Sequence, residues 1–168
     1  MIDRKQVLSQ IGDDLRQGGF LQRRGTWHLV SPEVTVVFDL QKSSFANRYW
    51  ANIGFWIESL GHAQRPRVHQ CHLYFRVERL FPEYRETILM GLSFEEESVA
   101  QCEEFLAFVR DIFVPFCQAA TRMEYMRKLY HWGKLRDGLV KKEAQDVLGG
   151  ARDALRVVHC AEGRSGSV

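Results

Sequence analysis

The sequence predicts an α+β domain: an N-terminal helix, an antiparallel meander of four or five strands, and a helical C-terminal third packed on the sheet. Three observations predict it. Between Thr26 and Leu80, apolar and polar residues alternate in successive runs, as strand side chains facing opposite sides require. Val34, Val36, Phe38 and Leu40 share one face with Tyr49, Ala51, Ile53, Phe55 and Ile57, and then with Cys71, Leu73, Phe75 and Val77. Further on, Cys102, Phe105, Leu106, Val109, Ile112 and Phe113 keep helical spacing and make a wide apolar stripe that fits that face. Before the sheet, Val7, Leu8, Ile11 and Leu15 mark a helix that stops at Gly18-Gly19.

The elements follow in order. Asp3 with Gln6 has capping-box spacing, and Ile2 with Val7 has that of a hydrophobic staple. Phe20 and Leu21 lead into a first strand centred on Trp27-His28-Leu29-Val30, and Ser31-Pro32-Glu33 turns the chain. The second strand runs to Gln41, and the polar loop from Lys42 to Arg48 leads to the third. A basic, exposed connection, Gly61 to Arg67, precedes a fourth strand that ends near Leu80. Ile88, Met90, Leu92 and Phe94 alternate, which predicts a fifth strand over Glu86 to Phe94. Glu95-Glu96-Glu97-Ser98 starts a long helix that Pro115 should kink or end. Thr121 with Glu124 starts a shorter helix that stops at Trp132-Gly133. Ala144 to Val158 keeps helical spacing, with a break expected at Gly149-Gly150. The chain reads as one domain over residues 1–160, helical from about 121, with a disordered tail at 161–168.

A chain of 168 residues buries enough surface to stand without a disulfide or metal staple. Its net charge of +2 is too small to imply nucleic acid or a membrane surface. The four cysteines, Cys71, Cys102, Cys117 and Cys160, have no short paired spacing. With no apolar signal core and no run of membrane-spanning length, the reading is a reducing cytoplasm.

Several marks in order resemble a bacterial family of uncharacterised proteins, domain of unknown function 4304. They are Gly19-Phe20 after the first helix, Gln41-Lys42-Ser43 closing the second strand, and Tyr49-Trp50-Ala51-Asn52-Ile53-Gly54 in the third. Cys71-His72-Leu73 with Arg76 and Leu80, and the helix ending Phe113-Val114-Pro115-Phe116, continue the series. The resemblance covers roughly residues 2 to 135. It implies the fold above and no established activity.

The chemistry of the remaining residues is sparse. His69-Gln70-Cys71-His72 is the only dense cluster of metal-ligand types, but on a strand His72 points away from His69 and Cys71, so no metal and no cofactor are expected. Ser43 and Ser44 lie near a strand end, within conceivable reach of His72, yet no nucleophile elbow surrounds them. Arg23, Arg24, Arg65 and Arg67 with Trp50, Trp56 and Tyr74 suggest single-stranded nucleic acid, but Asp39, Glu58 and Glu78 share the face and disfavour it. What remains is a polar and aromatic second face. Its candidate binding residues are Gln41, Lys42, Ser43, Trp50, Asn52, His72, Tyr74 and Arg76. Alternation alone explains such a face, solvated or covered by the C-terminal helices. Tryptophan, tyrosine and arginine are also the usual interface anchors. The expectation is therefore a non-enzymatic protein-binding or regulatory module, one form of which is immunity-like in neutralising its partner, and which engages another protein or a second copy. The alternative is a small-ligand binder or enzyme around Gln41, Asn52 and Arg76.

Overall fold

A computed structural model describes residues 4–95 and 99–150. Six strands form one sheet in chain order, each antiparallel to the next. They are β1 (Leu21–Arg23), β2 (Thr26–Leu29), β3 (Val34–Lys42), β4 (Tyr49–Ile57), β5 (Leu73–Arg76) and β6 (Leu139–Val140). The sheet thus has six strands where four or five are expected, and β1 and β6, which no expectation covered, are short edge strands. β1 folds back through Arg24 and Gly25, both at positive φ (50° and 80°), the backbone a two-residue hairpin needs. β6 is supplied by the chain after the helix Met123–His131 and pairs with β5.

The register places Val36 opposite Phe55, Phe38 opposite Ile53, and Phe55 opposite Leu73, so one face is wholly apolar. α1 (Arg4–Gln17) lays Val7, Ile11 and Leu15 into the same core. α4 (Val99–Phe108) adds Cys102, Phe105 and Phe108. Phe113 then meets Phe38 at 5.1 Å between ring centroids, and Phe116 meets Phe55 at 6.4 Å. Pro115 neither ends this helix nor stands alone as a kink. A π-helical turn, Val109–Phe113, precedes it, and α5 (Val114–Ala119) carries the proline in its first turn. The wider turn spares the proline ring the carbonyl that an α-helix would press against it.

Three expectations are corrected. Glu86 to Phe94 is not a strand: α3 (Arg85–Gly91) occupies it. Ile88 and Leu92 are spaced for a shared helical face, and both are buried at 1% exposure while Met90 is exposed. Gly91 lets α3 approach α4, since a Cβ there would overlap Phe105. The fourth strand stops at Arg76, and α2 (Val77–Leu80) turns Val77 and Leu80 into the core. Glu78, placed on the second face by alternation, is consequently buried in α2. Cys71 belongs to the opposite side of the sheet from Leu73, because it follows a 3-10 turn, Val68–Gln70, and precedes the strand.

Two helix ends differ in their chemistry from expectation. α6 (Met123–His131) does not use Thr121 as its cap; the Met123 N–H donates to the Glu33 carboxylate at 2.7 Å, so the cap comes from the turn before β3. Residues 142–150 are helical through both Gly149 and Gly150. The expected cap at Asp3, the residues Glu96 to Ser98, and the tail lie outside the described residues.

Candidate functional site

The second face of the sheet divides into a covered end and an open end. The covered end is built by the connection between β4 and β5, which crosses the face instead of leaving it to the C-terminal helices. Gly54 makes room for it. A Cβ at Gly54 would stand 2.7 Å from the Cys71 sulfur and 2.9 Å from the Val68 carbonyl oxygen. Val37, Val68 and Cys71 form a small buried cluster under that turn, with Trp56 and Tyr74 packed against it. Burial pushes the Cys71 thiol up to about 12, so it is an inert apolar group.

Polar groups lock the connection down. His28 Nε2–H donates to the Pro66 carbonyl at 2.9 Å. Thr35 donates its hydroxyl to Glu58 at 2.7 Å, and the Trp56 indole N–H donates to the Gly61 carbonyl at 2.9 Å. His72 is 4% exposed; its Nδ1 accepts the Ile57 N–H at 3.0 Å and its ring lies 4.1 Å from that of Trp56. Burial, then the positive charge of Lys141, hold the His72 imidazole below its ordinary value. A neutral ring with Nδ1 accepting carries its proton on Nε2. His72 is therefore a structural residue of the covered end.

The open end lies toward the β3–β4 hairpin loop. Asp39 faces Asn52, Gln41 faces Trp50, and Asn52 faces Arg76 across the strands. Asn52 is 4% exposed and joins these positions. Its amide donates to Asp39 at 2.8 Å and to Gln41 at 3.4 Å, and its oxygen accepts the Tyr74 hydroxyl at 3.2 Å. Beside this network is an open concavity of about 430 Å³, lined by Arg24, Thr26, Asp39, Gln41, His69 and Tyr74 among others. Trp50 is partly exposed, and two guanidinium groups lie over its indole: Arg76 at 5.1 Å and Arg48 at 5.7 Å from the ring centroid.

The expected binding residues thus separate. Gln41, Trp50, Asn52, Tyr74 and Arg76 are brought together. His72 sits at the far end, under Trp56. Lys42 is exposed but faces Tyr49 on the other side of β3 by alternation. Ser43 serves the loop: its N–H donates to the Arg48 carbonyl at 2.9 Å and its Oγ accepts the Phe45 N–H at 3.2 Å. Ser43 and His72 cannot act as a pair, because Ser43 joins the Tyr49 end of β4 while His72 joins the Ile57 end. Among the described residues no three His, Cys, Asp or Glu side chains are placed to hold a metal ion. Arg48 is the residue that sequence reasoning missed. It stands two before Trp50, so the same alternation puts it on Trp50's face.

A six-stranded antiparallel meander, backed on one face by helices and half covered on the other, defines an α+β domain. A family model described as a domain of unknown function, DUF4304, matches residues 11–119, and the chain belongs to that family. No curated protein matches the chain. No solved structure matches it. No described helix is long and apolar enough to cross a membrane.

Proposed function

We propose that this protein is a non-enzymatic module that binds another protein through the open end of the second face. The observation that supports it most is Trp50, partly exposed on a central strand with two arginines over its ring. Interface energy concentrates on such aromatic and arginine anchors held by rigid elements. Gln41 and Tyr74 extend the surface beside it, and Asn52 fixes their positions by hydrogen bonds. Binding there would regulate or neutralise the partner by occupancy, with no chemical step. The buried free thiols of Cys71, Cys102 and Cys117 suit a reducing cytoplasm.

A small-ligand site is the second reading, favoured by the concavity of about 430 Å³ beside Asp39 and Tyr74. Its open mouth buries less of a ligand than small-molecule sites usually do. The test is capture of partners from the native lysate by wild type and by Trp50→Ala, with thermal melts of both. The module reading expects a specific partner lost in the variant while the melt holds. An unchanged set of captured proteins contradicts it. Light scattering of the purified chain identifies the case in which the occupant is a second copy.

A further inference from the structure

Arg48 and Arg76 share a feature besides Trp50. Among the described residues, five buried side-chain nitrogen or oxygen atoms have no hydrogen-bond partner, and two of them are Arg48 Nε and Arg76 Nη1. A guanidinium carries five N–H donors and no acceptor. Among the described residues, Arg76 Nη1 meets no acceptor, and no carboxylate lies within ion-pair distance of the Arg76 side chain. Arg48 has one ionic neighbour among the described residues, Glu95, at 3.7 Å on a pair whose side chains are 34% and 48% exposed. Such a long, solvated pair is weak. Two cations therefore lie over one indole with inward donors unsatisfied, a costly arrangement in the free protein.

An anion supplied from outside relieves that cost. We infer that the Arg48–Trp50–Arg76 cluster is a receptor for a carboxylate side chain of the partner protein. This deepens the binding-module reading and rests on it. A carboxylate matches the guanidinium fork with paired donors and needs no further cation. The surroundings favour one small anion over a polyanionic strand, because Asp39 faces Asn52 next to the cluster and Glu95 borders Arg48. The Arg48 position is fixed by its backbone, since the Arg48 carbonyl accepts the Ser43 N–H at 2.9 Å and the Tyr49 N–H donates to Leu92 at 2.9 Å. The acceptors on this face already have donors, since Asp39 and Gln41 accept the Asn52 amide and the Asn52 oxygen, opposite Arg76, accepts the Tyr74 hydroxyl, so the guanidinium donors remain for the ligand.

The test follows the indole N–H resonance of Trp50, assigned with Trp50→Phe, while blocked hexaglutamate is added to the isotope-labelled chain. Blocked hexaglutamine, inorganic phosphate and oligothymidylate are the comparison probes. The expected result is a saturable shift with hexaglutamate and none with hexaglutamine. Arg76→Met and Arg48→Met each weaken the response by about tenfold or more, and Arg76→Lys recovers only part of it. No saturable shift, or wild-type affinity retained in both Arg→Met variants, overturns the assignment. Tighter saturation by phosphate or oligothymidylate also overturns it, in favour of a phosphate ligand. Failure here is separable from failure of the module reading: a partner lost by Trp50→Ala but kept by both Arg→Met variants leaves the module standing and removes the carboxylate.

Discussion

The two faces of the sheet have the same backbone and opposite fates. On the first, Phe38, Ile53, Phe55, Leu73 and Phe75 are each no more than 3% exposed, and helices from both ends of the chain cover them. On the second, the cover among the described residues is a single connection that reaches as far as Val37 and Gly54, and it leaves the strand ends carrying Gln41, Trp50 and Arg76 open. The difference shows what alternation does and does not determine. Period two sorts side chains between faces, but what lies against a face depends on where chain from elsewhere is pinned. On the second face that pinning falls on Gly54, His28, Thr35 and Trp56.

Variants that break this comparison should grade in size. Leu73→Ala removes a fully buried side chain from the first face and should cost about 2–5 kcal/mol in urea unfolding. Gly54→Ala should cost less, about 1–3 kcal/mol, by pushing on the Cys71 side chain and the Val68 backbone under the covered end. Equal stability of Gly54→Ala and wild type would mean that the connection does not sit on the face as described.

The pH dependence sharpens the same point. His72 is held neutral, so its folded value lies below its unfolded one and the unfolded chain binds the extra proton. Its contribution is present above the ordinary imidazole value of 6.5 and is lost as pH falls through the folded value. Stability measured between about pH 7 and pH 5 should therefore fall, and His72→Gln should flatten that slope while lowering stability at pH 7. A slope unchanged in the variant would place the titrating group elsewhere.

Much of this architecture was legible in the residues. Val34 to Leu40 and Tyr49 to Ile57 each show period two over a long run, and the register pairs their apolar sets as alternation requires. Shorter runs misled. Ile88 to Phe94 alternates, but the same residues carry an i, i+4 pair, and packing against Phe105 selects the helix. Strand parity extended back from Leu73 misplaces Cys71, because the 3-10 turn before the strand resets it. The α6 cap was not readable at all, since its carboxylate comes from Glu33, far away in sequence. At the site, Trp50, Asn52 and Arg76 followed from parity alone. The cover over His72 did not, because a basic, glycine- and proline-containing connection carries no periodic signal of where it lands.

The central claim is that Arg76 is kept for a ligand and not for the fold. Arg76→Met keeps the aliphatic packing on Trp50 and removes the guanidinium. It forfeits a cation–π contact worth about 0.5–1 kcal/mol. It also removes a buried donor without a partner, whose burial costs about 1–3 kcal/mol. Urea denaturation of wild type and Arg76→Met in the absence of any partner weighs these directly. Arg76→Met is expected to be as stable as wild type or more so; a loss of about 2 kcal/mol or more would make Arg76 a structural residue and contradict a role kept for a ligand.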